Sequence, residues 1–232
     1  MLLPVSGMLN CIPDKFTIEP NIARSYEFFL SQGLIMTLEI FLTLLVFAFV
    51  TSITPGPNNL MLLTSGVNFG FKRTIPHMFG IGSGFFTLLL GVGLGLGALI
   101  QTVPLLYTIL KFAGGAYLIY LAYKIAMSRS LSAVDGKARP MTFLEAAAFQ
   151  WINPKAWVMA VTAMATYTSP QAYFTTVLIV GIAFAIVNIP SVSSWAAFGQ
   201  IMRGWLADPV RLKWFNITRA ALLVASLWPM LK

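Results

Sequence analysis

Two short stretches of this chain carry groups that could hold a small charged molecule. The first is Thr54-Pro55-Gly56-Pro57-Asn58-Asn59 and the second is Gln150-Trp151-Ile152-Asn153-Pro154-Lys155. In the first, each proline lacks a backbone N–H and its ring clashes with the preceding turn, while Gly56 adds freedom. A regular α-helix cannot pass through. The break leaves helix-end N–H groups and the positive end of a helix dipole, which suit a carboxylate, and freed carbonyls, which suit an ammonium. Asn58 and Asn59 add amide donors and acceptors. The plainer alternative is a kink whose asparagines bond loose backbone. The matching break at Asn153-Pro154-Lys155 favours a binding role, with Gln150 beside it.

Lys155 stands about twelve residues inside an apolar segment. A buried ammonium is costly unless paired, so an intramembrane charge is by default a functional candidate. It could hold a carboxylate, cycle a proton, snorkel to the interface or brace the break. Asn188 and Pro190 are expected to interrupt a later apolar segment, where Asn188 could bond the opposing breaks. Arg219 is read as an interfacial, snorkelling residue, and His77 as interfacial too. No Asp or Glu occupies a segment centre. A carboxylate proton relay is therefore not visible, and a strongly cationic or dehydrated divalent ligand is disfavoured.

The elements that carry these residues are set by composition. Hydrophobic residues make up 58% of the 232 and charged residues 9%, against roughly 25% charged in soluble domains. Too few polar side chains remain to cover a water-facing surface, so the bilayer is the natural solvent. Six apolar segments follow, over about 37–66, 74–99, 104–127, 143–167, 172–199 and 214–231. Each approaches the ~20 residues that span ~30 Å. They lack the alternation of barrel strands. The expectation is an all-α integral membrane fold of six transmembrane helices, with the first and fourth broken.

Lys72 and Arg73, then Lys124, Arg129, Lys137 and Arg139, then Arg203, Arg211 and Lys213 mark alternate connections. Positive-inside places these loops in the cytoplasm and both termini outside. The two halves, about 36–130 and 140–232, each begin with a broken helix, continue with a Gly-bearing one, and reach a Leu-Lys-aromatic step (Leu110-Lys111-Phe112 and Leu212-Lys213-Trp214). Three helices per half implies an inverted 3+3 repeat, a pattern that points to secondary transporters. Residues 1–35 differ in composition and lack the apolar core of a signal peptide. They are expected to be a disordered extension or a start-site artefact, with Met36 as the true start. Residues 36–232 form the transporter domain.

Other classes are excluded on chemistry. Net charge is +8, but the basic residues sit in short clusters between apolar runs rather than on a solvated face, so nucleic acid is not expected. Cys11 is the single cysteine and His77 the single histidine, so no metal site, redox pair or cofactor is expected. An intramembrane enzyme would need a base or ligand set at a span centre, which the sequence does not supply. The glycines from Gly80 to Gly97 lie in a transmembrane context and read as helix-packing positions, not a phosphate loop.

The sequence resembles the lysine exporter superfamily, in its homoserine/threonine exporter (RhtB-like) branch. The resemblance rests on Ile53-Thr54-Pro55-Gly56-Pro57-Asn58-Asn59, Gly70-Phe71-Lys72-Arg73, Gly114-Gly115-Ala116-Tyr117-Leu118-Ile119-Tyr120, and Phe149-Gln150-Trp151-Ile152-Asn153-Pro154-Lys155-Ala156-Trp157. It covers about 36–232 and leaves 1–35 outside the family pattern. It implies export of amino acids or derivatives across the bacterial inner membrane, driven by protons, with a homodimer plausible within the family. The cargo it suggests is of the homoserine, threonine, leucine or cysteine class. The missing central carboxylates favour neutral over basic amino acids; a basic amino acid or another small ion is the alternative cargo.

Overall fold

The computed structural model describes residues 36–102, 104–127 and 139–227. Residues 1–35, the loop bearing Arg129 and Lys137, and the last five residues lie outside the described part. Within it the chain is α-helical, with no β-strand among the described residues.

The first apolar segment forms α1 (Leu38–Ile53) and α2 (Pro57–Phe69), bent by 56° at the Thr54–Gly56 break. Thr37 caps α1, its hydroxyl accepting from the Ile40 N–H at 3.3 Å. The second forms α3 (Phe71–Gly91), a π-helical stretch Val92–Leu96, and α4 (Gly97–Thr102). Gly95 takes φ +112° inside that stretch, a left-handed conformation that only glycine adopts cheaply. Next come α5 (Pro104–Met127), then α6 (Phe143–Gln150) and α7 (Pro154–Tyr167) across the second break, α8 (Tyr173–Met202) and α9 (Pro209–Ala225).

By length and composition, two helical stretches among the described residues can cross a membrane unaided, Phe71–Leu96 and Pro170–Met202. The bent pair α1–α2 makes a third if taken as one span. The second break divides the fourth apolar segment into α6 and α7, each too short to span alone. The expected interruption at Asn188-Pro190 is a further difference: α8 runs unbroken through Pro190. The neighbouring Ser191 hydroxyl donates to the Val187 carbonyl at 2.8 Å, one of the local adjustments that let apolar helices tolerate proline.

The largest core cluster joins α1, α3, α7 and α8, with Phe184 edge-on to Phe85 at 5.3 Å. The outward face is also apolar. Leu144 and Ile201 are 75% and 77% exposed, as side chains facing lipid should be. Two close crossings tie the bundle together. A Cβ on Gly66 would strike the Ala196 carbonyl, and one on Gly199 would strike that of Leu63, so α2 and α8 touch backbone to backbone. Gly80 and Gly84 likewise admit the Phe143 carbonyl and the Ala147 backbone of α6.

Candidate functional site: a cavity between two helix breaks

At the first break the carbonyls of the last turn of α1 lose their helical partners. Each of three finds another donor. Ser52 O accepts from Asn59 Nδ2 at 2.8 Å, Ile53 O from Trp195 Nε1 at 3.0 Å, and Thr54 O from both Asn59 Nδ2 and Lys155 Nζ at 2.8 Å. In an apolar medium each unmatched group costs several kcal/mol or so, which explains why such polar donors converge here. Gly56 is the N-cap of α2, and no side chain caps that end.

The second break is closed locally. Trp151, Ile152 and Asn153 donate back to Ala148, Phe149 and Gln150, and Asn153 Oδ1 caps α7 by accepting from the Lys155 N–H at 3.2 Å. Pro154 occupies the first turn, where its missing donor is harmless.

The two breaks face each other. Asn58 and Gln150 form a reciprocal amide pair, Nδ2 to Oε1 at 2.7 Å and Nε2 to Oδ1 at 3.0 Å. Between the breaks lies a cavity with about 370 Å³ of empty space, including its open mouth. Of the residues singled out from the sequence, it brings together Gly56, Pro57, Asn58, Asn59, Gln150, Asn153, Lys155 and Asn188. Thr54 takes part through its carbonyl. Pro55 and Pro154 shape the breaks without lining the cavity. The lining also includes Thr51, Ser52, Phe85 and Met159, which sequence reasoning missed. Ser52 was findable: it sits one turn before the break on the face of α1 that carries Ala48 and Leu44, all three buried.

The electrostatics are one-sided. Lys155 is the only ionisable side chain in the lining, and it bonds a neutral carbonyl. The one ion pair among the described residues is Arg139–Glu145, 2.6 Å apart at the start of α6. That Glu145 bond raises the Arg139 guanidinium above its ordinary value. The Lys155 stem lies over Gly56, where a Cβ would come within 2.8 Å of its Cδ. From α8, Asn188 Nδ2 donates to Ser52 Oγ at 3.2 Å, while its Oδ1 is buried without a partner. The cavity thus holds an open helix N-terminus and an ammonium, which attract a carboxylate, and an unused amide oxygen, which can accept from an ammonium.

Two residues expected at the interface are buried instead. His77 is 2% exposed, with both ring nitrogens unbonded. It shares the inward face of α3 with Thr74, Ile81 and Leu88. Arg219 is 4% exposed and follows the inward face of α9 through Leu212, Asn216 and Leu223. The signal was present in sequence: Asn216 and Arg219 are a polar pair at i, i+3 spacing, which puts both on one side of a helix.

The LysE type translocator family matches residues 49–226. The chain is 32% identical over 183 residues to proteins named cysteine/O-acetylserine efflux protein in Escherichia coli (strain K12) and in Shigella flexneri serotype 5b (strain 8401). Those alignments cover 77% of this chain and 90% of each relative. No solved structure matches. An all-helical chain with apolar outward faces and opposed helix breaks, matched over most of its length, belongs to the LysE type translocator family.

Proposed function

We propose that this protein is a secondary transporter of the bacterial inner membrane that exports neutral amino acids or their derivatives from the cytoplasm. The observation that carries this is the cavity between the breaks. It offers Lys155 and the uncapped α2 N-terminus to a carboxylate and Asn188 Oδ1 to an ammonium, with no acidic residue in its lining. A zwitterion satisfies both ends. Cysteine and O-acetylserine, in the names of the relatives, are such molecules. A cationic amino acid would bring a second positive charge beside Lys155, which disfavours the alternative cargo of basic amino acids or other small cations.

In this reading the six apolar segments all span, as an inverted 3+3 repeat with both termini outside, and cargo passes by alternating access. The proton gradient drives it. Lys155, as the one titratable group of the cavity, is the candidate proton carrier. The homodimer is part of the proposal through the family resemblance alone.

The test loads cells with dipeptides, with and without the protein. Release of cysteine, O-acetylserine, homoserine, threonine and leucine is then followed. Faster release of one or more, abolished in Lys155→Ala at normal membrane level, is expected. Unchanged release of all five would refute the cargo class.

A further inference from the structure

A second cavity lies outside the breaks. It is a cleft of about 1880 Å³, including its open mouth, between α2, α5, α6 and α9. Lys124 and the Arg139–Glu145 ion pair line its rim, Tyr117 and Phe149 its walls, and Arg219 stands in its depth. Arg219 donates through Nη1 to Thr64 Oγ1 and through Nη2 to Asn216 Oδ1, and its guanidinium stacks on Phe215 at 4.3 Å. All three partners are neutral. Its Nε has no partner, and no carboxylate pairs with it among the described residues. A guanidinium this buried is costly in an apolar bundle without an opposite charge, and it attracts one. Its planar set of donors fits an oxyanion better than any other ligand class.

We propose that this cleft is a second binding site, specific for an oxyanion, with Arg219 as the anchor and Lys124 drawing the ligand to its mouth. The site is separate from the break cavity but adjoins it. Asn58 and Thr64 stand on the same helix six residues apart, or about 9 Å along the axis. The end of α6 turns Gln150 into one cavity and Phe149 into the other. Two sources supply such a ligand: the carboxylate of an amino acid entering from the loop side, or the phosphate of an anionic lipid headgroup.

The experiment uses the full chain in nanodiscs, in a Lys155→Ala background so that the break cavity contributes no cation. O-acetylserine is titrated in phosphatidylcholine discs, with thermal stability as the readout. In parallel, discs containing phosphatidylglycerol are analysed by native mass spectrometry for retained lipid. At least one probe is expected to bind. Arg219→Gln should weaken that binding about thirtyfold or more, and Arg219→Lys less. Binding of O-acetylserine identifies a carboxylate site, and retention of phosphatidylglycerol alone identifies a headgroup site. If Arg219→Gln does not fold, Lys124→Gln at the exposed rim should weaken binding about twofold to threefold. The proposal is overturned if neither probe binds, if Arg219→Gln binds as tightly as its parent, or, where that variant is unfolded, if Lys124→Gln has no effect. Because the readout is binding in a Lys155-free protein, it leaves the export reading to be judged on efflux alone.

Discussion

The two helix breaks look alike in sequence but are held by different means. The second is self-contained: its carbonyls are bonded by N–H groups three residues on, and Asn153 caps the helix it begins. The first depends on distant residues. Ile53 O is bonded by Trp195 from α8, and Thr54 O by Lys155 from α7 as well as by the nearby Asn59. Its new helix starts at Gly56 without a side-chain cap. A locally closed break can form as its own segment folds. A break closed from other helices exists only in the assembled bundle and changes when those helices move. In the proposed transport reading the first break is therefore the receptive one, and the second is the platform that presents Lys155 to it.

The largest test of this contrast is Lys155→Ala. It removes the cavity's only cation and one of the two donors to Thr54 O together. Losing one member of a desolvated charge interaction costs about 2–5 kcal/mol, so efflux should fall about a hundredfold, read from cells at matched membrane level. Next is a pair of conservative changes. Trp195→Phe leaves Ile53 O unpaired at the first break, and Trp157→Phe leaves Trp151 O, accepted at 2.8 Å, unpaired at the second. Each should lower stability by about 1–3 kcal/mol, measured by thermal unfolding of purified protein. Only Trp195→Phe should also raise the KM for export; equal effects of the two on KM would erase the distinction between the breaks.

Gly56→Ala is smaller. Gly56 has extended backbone at φ −171°, which alanine tolerates, so the cost is the clash with the Lys155 stem. Export should drop about tenfold, in line with the 1–3 kcal/mol or so of an overpacked contact. Combined with Lys155→Ala it should add nothing, since the stem it strikes is gone. Smallest is Asn153→Ala, which removes a helix cap worth about 1 kcal/mol. Thermal stability should fall with KM little changed, and Asn153→Ser should restore it.

Much of this was readable from residue order alone. Proline and glycine chemistry located both breaks, because a missing N–H acts locally and needs no tertiary partner. Helicity followed from apolar runs too long for strands. Pro190 misled for a related reason. A proline's effect depends on whether neighbours absorb it, and in α8 the helix runs on unbroken, with Ser191 bonding the Val187 carbonyl one turn back. For Arg219 the spacing to Asn216 hinted at a shared polar face, but for His77 burial was not legible, because charge position within a segment says nothing about which face turns inward. Only the registers of α3 and α9 against their neighbours decide that. The pairing of Asn58 with Gln150, 92 residues apart, likewise required the fold.

The backbone contacts through glycine have a mechanical consequence. Gly66 and Gly199 lock α2 to α8, and Gly80 and Gly84 lock α3 to α6. Both joints cross from the first half of the chain to the second, so the two halves cannot swing apart like the leaves of a book. α5 packs chiefly on α9, and this pair meets the rest through side chains such as Leu60, Met61, Leu118, Phe149 and Leu223. One point on that seam is pinned: a Cβ on Gly114 would strike the Ile152 carbonyl. A panel that is glued along two edges and riveted at one spot on a third can flex only about the rivet. From Gly114, α5 runs on to Lys124, ten residues or about 15 Å away, and this stretch is held by side chains such as Leu118 and Ala122 rather than by backbone contact.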